Sequence, residues 1–354
     1  MTLKVAINGF GRIGRNVLRA ILESGRHDIE VVAINDLGPV ETNAHLLEFD
    51  TVHGRFAGPV TTTAETIDAG RGPMRVTAIK DPETLPWGDI DIVLECTGMF
   101  TDRDAAARHL QNGAGRVLVS APSKGADRTV VYGVNHGDLT DQDLIVSNAS
   151  CTTNCLAPVA KVLHEAIGIT RGFMTTVHSY TGDQPTLDTM HKDLYRARAA
   201  GLNIIPTTTG AARAVGLVLP ALDGRLDGTA IRVPTPNVSV VDLTFEAAKD
   251  TSIEEINAAM TDAAAGQLAG VLAITKRELV SSDFNHNPHS SIFATDQTRV
   301  MEGRMCRVLS WYDNEWGFSN RMVDTAVAMG QETTSPRARH GALQSSRAQT
   351  EPCN

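Results

Sequence analysis

Short apolar segments alternate with amphipathic ones along the first 150 residues. Residues 4–8, 29–34 and 90–95 are apolar and rich in β-branched side chains, as in buried strands. Between the first two, the apolar positions of residues 16–22 recur at helical spacing. We also predict helices at 44–49 and 105–110 and strands at 61–66, 74–79, 116–119, 129–134 and 144–147. This alternation predicts a doubly wound α/β sheet.

The pattern changes after residue 150. Helical spacing recurs at 151–167, 211–217, 253–264 and 316–329, and strand-like segments lie at 173–178, 238–245, 271–275, 290–294 and 305–311. Mixed strands with few helices indicate an α+β half with a mostly antiparallel or mixed sheet. From Gln331 the pattern stops, and residues 331–354 have too few large apolar side chains to form a core. We predict a disordered tail there.

Composition narrows the class of protein. The 354-residue chain, with 42% hydrophobic and 21% charged residues, is long enough for two domains. Its net charge of −9 argues against nucleic acid as the main partner. No apolar run suits a membrane span or a signal peptide. Five cysteines without a Cys-x-x-Cys pair fit a reducing compartment, so we expect a cytoplasmic protein.

A glycine-rich turn joins the first predicted strand to the first helix. Gly9, Gly11 and Gly14 form a G-x-G-x-x-G pattern, which permits a tight turn and close approach of a pyrophosphate to the helix N-terminus. Asp36 ends the next strand 22 residues after Gly14, near the spacing of a carboxylate that binds ribose hydroxyls and repels a 2′-phosphate. The alternative for Asp36 is a turn residue at a strand end. The strand, glycines, helix and spacing together favour NAD.

The predicted sheet topology adds two residues to the expected cofactor site. Thr97 and Gly98 follow the strand at 90–95, and ligands of doubly wound sheets bind at the carboxyl ends of strands. We therefore predict a Rossmann-type NAD-binding domain over residues 1–150 and an α+β catalytic domain over residues 151–315.

The segment 150–155 has the pattern of a loop entering a helix. Ser150 is a good N-cap residue, which puts Cys151 in the first turn, where free N–H groups and the helix dipole favour an anion. We expect this thiol to ionise more easily than usual and to act as a nucleophile. The alternative is a small buried hydrophobic residue, the usual fate of a cysteine.

Chain lengths place His178 near this thiol. The helix from residue 151 to 167 runs roughly 24 Å at 1.5 Å per residue. The strand from residue 172 to 178 runs back roughly 20 Å at about 3.3 Å per residue. A lone histidine at a strand end is usually structural, but one returned to a nucleophilic thiol is a candidate base.

Two polar segments follow. Residues 179–206 are irregular and charged, and a long ordered loop is usually functional or interfacial. Residues 207–210 open a predicted helix with three threonines and a glycine, which suits either an anion site or plain capping.

These features together suggest aldehyde oxidation through a covalent intermediate. A thiolate adds to an aldehyde, the adduct passes a hydride to a nicotinamide, and the resulting thioester is open to attack by phosphate or water.

The chain closely resembles the glyceraldehyde-3-phosphate dehydrogenase family, the phosphorylating enzymes of glycolysis, from about residue 3 to residue 330. The resemblance is carried in order by residues 8–14 (NGFGRIG), 147–155 (SNASCTTNC), 232–239 (RVPTPNVS) and 311–315 (WYDNE). It implies a homotetramer with the loop 179–206 at the subunit interface, and a final helix, 316–330, that packs back on the cofactor domain. Many NAD-specific members have Leu-Pro where this chain has Thr189-Met190, so only Asp36 argues for NAD here.

The resemblance also implies roles at matching positions. Cys151 is implied as the nucleophile and His178 as its base. Implied ligands of inorganic phosphate are Ser150, Thr152, Thr209 and Gly210; of the substrate's C3 phosphate, Thr181 and Arg232; and of NAD, Arg12, Ile13, Asp36, Lys80, Ser120 and Asn314. Arg196 matches a basic residue of the phosphate region. The resemblance implies no metal.

Three alternatives stay open at this point. An erythrose-4-phosphate dehydrogenase would release an acid using water, although the segment 207–212 keeps the phosphorylating pattern. A binding or scaffold protein on the same fold would be expected to have lost the thiol, the histidine or a phosphate ligand. A thiol hydrolase would leave the dinucleotide motif without a purpose.

Overall fold

The computed structural model describes residues 2–334, and these residues form two β-sheets. The strands of the first sheet are β1 Leu3–Asn8, β2 Ile29–Asn35, β3 Thr61–Thr62, β4 Thr66–Asp68, β5 Pro73–Thr77, β6 Ile90–Glu95, β7 Ala114–Val119, β8 Arg128–Thr129 and β9 Ile145–Ser147. Those of the second are β10 Ile169–Ser179, β11 Ile205–Thr208, β12 Leu226–Val233, β13 Ser239–Ala247, β14 Leu272–Thr275, β15 Ser291–Ala294, β16 Arg299–Met301 and β17 Met305–Tyr312. The α-helices are α1 Arg12–Glu23, α2 Val40–Glu48, α3 Arg103–Ala107, α4 Cys151–Ile167, α5 Ala211–Val218, α6 Ile253–Ala265 and α7 Trp316–Thr334.

The first sheet has the predicted doubly wound α/β topology. Its order is β3-β4-β5-β2-β1-β6-β7-β9-β8, and the strands from β5 through β9 in this order are parallel. Asn8 is in register with both Asn35 and Glu95, so β1, β2 and β6 end at one level. Because β2 and β6 lie on opposite sides of β1, a ligand crevice is expected at these strand ends.

The second sheet is mixed, as predicted. Its main path is β11-β12-β10-β13-β17-β15-β14, with β12 parallel and β13 antiparallel to the central β10. The buried side chains of α4, α5 and α6 form one apolar core with this sheet. The end of β10 lies beside the start of α4, since His178 contacts Cys151.

The last helix completes the first sheet rather than the second. Trp316, Met322 and Met329 of α7 are buried in the same core as Ile7 of β1 and Val17 of α1. The α7 carbonyl of Met329 accepts a hydrogen bond from Arg116 Nη1 at 2.7 Å. None of the helices within residues 2–334 is long and apolar enough to cross a bilayer.

The predicted strand at 129–134 is wrong beyond its first residue. The backbone turns after Thr129, and Asn135 holds the turn by accepting from Val131 N at 2.8 Å and donating to Thr129 O at 2.9 Å. A side chain that bonds the local backbone competes with strand pairing.

Other boundaries also differ. The strand predicted at 61–66 is a hairpin of β3 and β4, and the helix predicted at 105–110 ends at Ala107 and continues as a 3₁₀ helix. Strand β11 was not predicted, because its residues fall in the irregular segment 179–206 and in the predicted helix start that follows it. It is an edge strand, where Pro206 is tolerated. Helix α7 continues to Thr334, so the predicted tail cannot begin at Gln331. The rest of that prediction, residues 335–354, lies outside the described residues.

Candidate active site

Cys151 is the first residue of α4, as the sequence predicts. The Ser150 hydroxyl caps the helix by accepting from Thr153 N at 3.0 Å. Ala149, just before the cap, has φ +55°, a conformation unusual for a residue with a side chain. This sharp turn brings the chain from β9 of the first sheet into a helix of the second, so the thiol lies where the two halves meet.

His178 lies beside Cys151, as the element lengths predict. His178 Nε2 lies 3.5 Å from Cys151 Sγ, and the ring is 4% exposed. Its Nδ1 lies 2.6 Å from the Ser179 carbonyl oxygen. Nδ1 also lies 3.0 Å from Arg232 Nη1, which can only donate, but that nitrogen has the same carbonyl oxygen as an acceptor at 2.8 Å. Because the carbonyl oxygen offers only lone pairs to Nδ1, we assign the proton of the neutral ring to Nδ1. The Nε2 lone pair therefore faces the thiol, as a proton acceptor requires.

Arg232 lies beside His178 because the two residues are in register on β12 and β10. Its Nη1 donates to the Ser179 carbonyl at 2.8 Å. Burial, and then the positive charge of Arg232, lower the pKa of His178 to about 3. The imidazole is thus neutral at physiological pH and free to take a proton.

The ionisation of Cys151 differs from expectation. Burial raises the pKa of this thiol, while the Arg232 charge and hydrogen bonds from Thr152 work against the rise. The prediction of easier ionisation considered the helix terminus and left out the loss of water. The thiol consequently needs a neighbouring base, and His178 is the base in contact with it.

Tyr312, for which the sequence predicts no role, links the α4 and β10 residues of the site by hydrogen bonds. Its hydroxyl lies 2.8 Å from Thr152 Oγ1 and 2.9 Å from Thr176 Oγ1, and its ring packs edge-on against His178. A single hydroxyl can donate to only one of the two threonines. Nothing in the local pattern around Tyr312 pointed to this role, because its partners lie on α4 and β10.

The predicted phosphate ligands fall into two groups around the thiol. The starts of α4 and α5 are joined by Thr153 Oγ1, which donates to the Ala211 carbonyl at 3.3 Å. Thr209 and Gly210 immediately precede α5, where the Thr209 hydroxyl accepts from Ala211 N at 3.1 Å. Two helix N-termini therefore approach each other beside Ser150, an arrangement that suits an anion.

The second group consists of Arg232, which contacts His178 Nδ1 at 3.0 Å, and of Thr181 and Arg196 in the loop 179–206. Arg196 is half-buried, donates to Thr207 Oγ1 at 3.1 Å and pairs with Asp183 at 2.8 Å. Its charge helps to lower the pKa values of both His178 and Arg232. Thr181 is half-buried in the same loop, where its carbonyl accepts from the backbone.

A cleft of about 620 Å³ opens at the carboxyl ends of β1, β2 and β6. Five predicted cofactor residues line it, namely Gly9, Gly11, Asp36, Lys80 and Thr97. Asp36 is fixed by backbone N–H groups, accepting from Phe10 at 2.9 Å and from Gly38 at 2.9 Å. Gly98 turns the chain beside the cleft with φ +71°.

The glycine turn fits a dinucleotide. Gly9 has φ +90°, and a Cβ there would lie 2.7 Å from Thr97 N. A Cβ at Gly14 would lie 2.2 Å from the Gly9 carbonyl oxygen, whereas at Gly11 no atom lies within 4 Å. The first and third glycines are thus required for packing, and the middle one leaves open space beside the helix start for a pyrophosphate.

Besides Gly14 and Gly98, four further predicted cofactor residues lie outside that lining. Arg12 is held by Glu315, with Nε to Oε1 at 2.8 Å, and by Asp50. Asn314 Oδ1 accepts from Ser179 Oγ at 2.7 Å and from Ser239 Oγ at 2.8 Å. The others are Ile13, half-buried against the first core, and Ser120, whose N–H donates to Glu95 O at 3.0 Å.

Glu315, for which the sequence predicts no role, contacts Arg12. Glu315 follows Asn314 directly, so adjacent residues contact the catalytic sheet and the glycine turn. Within residues 2–334, no group of three or more His, Cys, Asp or Glu side chains is arranged to hold a metal ion.

Comparison with known proteins gives the family of this chain. Residues 3–103 match the family model "Glyceraldehyde 3-phosphate dehydrogenase, NAD binding domain", and residues 150–314 match the corresponding C-terminal domain. The chain is 75% identical to the glyceraldehyde-3-phosphate dehydrogenase of Cereibacter sphaeroides over 94% of its length and 99% of that protein. It is 72% identical to that of Xanthobacter flavus (94% and 99%) and 57% identical to that of Geobacillus stearothermophilus (92% and 98%). The chain therefore belongs to the glyceraldehyde-3-phosphate dehydrogenase family, as an NAD-binding oxidoreductase.

Proposed function

We propose that this chain oxidises and phosphorylates D-glyceraldehyde 3-phosphate to 1,3-bisphosphoglycerate with NAD, as a step of glycolysis and gluconeogenesis. Cys151 is the nucleophile and His178 the base. The observation that carries the proposal is the 3.5 Å contact from Cys151 Sγ to His178 Nε2. A neutral base in contact with a buried thiol is what covalent aldehyde oxidation requires.

The first step forms a carbon–sulfur bond. His178 Nε2 takes the thiol proton as Sγ adds to the aldehyde carbon, and then returns the proton to the new oxyanion. Free N–H groups at the start of α4 stabilise that oxyanion before it is protonated. The product is a thiohemiacetal on Cys151.

Oxidation and phosphorylation follow. His178 takes the hydroxyl proton of the thiohemiacetal while hydride leaves the same carbon; NAD, when bound, supplies the acceptor for that hydride. Inorganic phosphate then attacks the thioester carbon and the carbon–sulfur bond breaks. The leaving sulfur recovers the proton from His178, and the phosphate group loses one to water, so each turnover releases one proton.

We assign the inorganic phosphate to Ser150, Thr152, Thr209 and Gly210. The assignment is supported by the adjacent starts of α4 and α5. If Tyr312 donates to Thr152 Oγ1 at 2.8 Å, the Thr152 hydroxyl keeps its own proton for a phosphate oxygen. Thr181, Arg196 and Arg232 are assigned to the C3 phosphate of the substrate, since both guanidinium groups lie near His178.

The cofactor contacts are proposed at Gly9, Gly11, Gly14, Arg12, Ile13, Asp36, Lys80, Thr97, Gly98, Ser120 and Asn314. Asn314 uses its carbonyl oxygen for two serine hydroxyls, which leaves its amide N–H₂ to donate to the nicotinamide carboxamide.

An initial-rate assay tests the proposed function. With glyceraldehyde 3-phosphate and NAD, we expect NADH formation to depend strongly on added inorganic phosphate, because the thioester needs that nucleophile. Arsenate should replace phosphate, since it offers the same attacking oxygen. The control is the same assay with erythrose 4-phosphate and with NADP. Equal rates without phosphate would favour hydrolysis to the acid and contradict the proposal.

We further propose a cytoplasmic homotetramer with the loop 179–206 at a subunit interface. Large apolar side chains of this loop are exposed in the single chain, including Met190 at 96% and Leu194 at 82%. Such a patch favours burial against another protein surface. Sedimentation equilibrium should give four times the chain mass, and replacement of Met190 and Leu194 by serine should shift it towards smaller species. A monomeric parent chain would exclude this assembly.

A further inference from the structure

A residue in the left-handed conformation comes just before the helix that carries the nucleophile. Ala149 has φ +55° and is 1% exposed, so an enclosed residue has a strained backbone. This conformation is costly for a residue with a Cβ and easy for glycine. Strained backbone persists only where neighbouring groups hold it, and it is concentrated at functional sites. The contacts around Ala149 therefore indicate what fixes the position of Cys151.

One side chain binds the backbone on both sides of Ala149. Asn154 Nδ2 donates to the Asn148 carbonyl at 2.8 Å and to the Ser150 carbonyl at 3.0 Å. Because both carbonyls can only accept, the amide N–H₂ of Asn154 must face them. Asn154 is 1% exposed and lies in α4, one helical turn after Ser150. It joins the first turn of the helix to the residue that precedes the strained one.

Asn148 is fixed from the first sheet. It is fully buried, its N–H donates to the Val119 carbonyl at 3.0 Å, and its Oδ1 accepts from Thr325 Oγ1 at 2.8 Å. Val119 belongs to β7 and Thr325 to α7, whereas Cys151 begins a helix that packs on the second sheet. The hydrogen bond from Asn154 to the Asn148 carbonyl therefore spans the junction of the two halves.

The shape of this turn sets the distance between the thiol and its base. Cys151 Sγ lies 3.5 Å from His178 Nε2, and proton transfer requires a separation close to a hydrogen-bond length. His178 is held separately, since its Nδ1 bonds the Ser179 carbonyl on β10. A change in the turn would therefore move the thiol and leave the base in place. A misplacement of about 1 Å can lower a rate by about 10²-fold.

We propose that Asn154 is a positioning residue that holds Ala149 in its strained conformation and thereby keeps the Cys151 thiol in contact with His178. The inference rests on the proposed function, in which Cys151 attacks the aldehyde. Without the two hydrogen bonds from Asn154, the backbone of Ala149 relaxes towards negative φ, and the start of α4 turns the thiol away from its base.

A single-turnover experiment tests the inference. The full chain is mixed rapidly with NAD and glyceraldehyde 3-phosphate without inorganic phosphate, and the burst of NADH is followed by absorbance. The burst amplitude counts the sites that form a thioester, whereas the rate constant reports the geometry within those sites. N154L keeps a branched side chain and removes both hydrogen bonds.

We expect N154L to lower the burst rate constant by about tenfold or more, because the thiol is misplaced in a chain that is still folded. A purely structural role would lower the amplitude, through loss of folded chain, and leave the rate constant as in the parent. That outcome would overturn the inference.

Glycine at position 149 tests the part played by strain. Because glycine adopts the left-handed conformation without a Cβ clash, the turn then depends less on Asn154. The loss of burst rate caused by N154L should be at least about threefold smaller in an A149G background than in the parent. Equal losses in the two backgrounds would contradict the inference.

The matched control is N257L, the same substitution at a buried pair of hydrogen bonds in α6. Asn257 Nδ2 donates to the Thr295 carbonyl at 3.1 Å, and its Oδ1 accepts from Thr298 Oγ1 at 2.7 Å. These partners lie in the turn that follows β15, so N257L should keep the burst rate constant of the parent. A rate constant that falls as far in N257L as in N154L would overturn the inference.

N154S covers the case in which N154L does not fold. A serine hydroxyl in a helix can donate to the carbonyl four residues back, here Ser150, but it is too short to reach the Asn148 carbonyl. We expect the burst rate constant of N154S to fall by about threefold or more. The rate constant of the parent in N154S would contradict the inference. A parent chain that gives no NADH burst would instead refute the proposed function.

Discussion

Replacing Cys151 by serine is expected to lower kcat for the aldehyde by roughly 10⁴-fold or more, the scale seen when an enzyme loses its nucleophile. A serine hydroxyl ionises far less readily than a thiol, and His178 with its lowered pKa is too weak a base to compensate. Steady-state NADH formation measures the loss. Cofactor affinity, measured by calorimetry, should change little, because the cleft at β1, β2 and β6 is lined by other residues.

Cys155→Ser is the matched control. Cys155 lies one helical turn further along α4 and is fully buried, with Ser291 Oγ and the Ser310 carbonyl within 3.8 Å of its sulfur. A hydroxyl at that position finds the same partners, so activity should be largely retained. If C151S kept the parent rate, the covalent mechanism would be wrong and a binding role for the fold would regain support.

Replacing His178 by asparagine is expected to lower kcat by about 10²–10⁴-fold, the usual contribution of a general base. An asparagine amide occupies the position of Nδ1 and can still donate to the Ser179 carbonyl, while nothing remains at the position of Nε2. The buried thiol, with its raised pKa, then lacks a proton acceptor. Alkylation of Cys151 by iodoacetamide, followed against pH, should require a higher pH than in the parent.

H178N is also expected to make the folded chain less sensitive to acid than the parent. Because the pKa of His178 is about 3 in the folded chain and about 6.5 when unfolded, the unfolded state binds more protons between these values. The parent therefore loses stability as the pH falls through this window, and H178N should lose less. His27→Asn, at an exposed histidine, serves as control. Unchanged thiol alkylation in H178N would reduce His178 to a structural role.

Local signals in the sequence predicted the parts of the site that depend on short segments. Gly9 and Gly14 can be recognised from the turn alone, because backbone atoms pass so close there that a Cβ would not fit. Ser150 caps α4 through a residue three positions away. The approach of His178 to Cys151 required only two element lengths and a reversal of direction.

Sequence reasoning failed where contacts come from distant strands or from loss of water. Arg232 lies beside His178 only because β12 pairs with β10 in one register, which no local pattern specifies. Burial reversed the expected shift of the Cys151 pKa, and burial depends on the whole fold. The turn at 129–134 depends on the Asn135 side chain, although the apolar residues before it have strand propensity.

The position of α7 has a consequence for the order of folding. Trp316, Met322 and Met329 complete the apolar core of a sheet whose first strand is Leu3–Asn8. A nascent chain emerging from the ribosome cannot close this core until nearly all of its residues have been synthesised. The cofactor half begins the chain but finishes folding last, with an apolar face left exposed for most of translation.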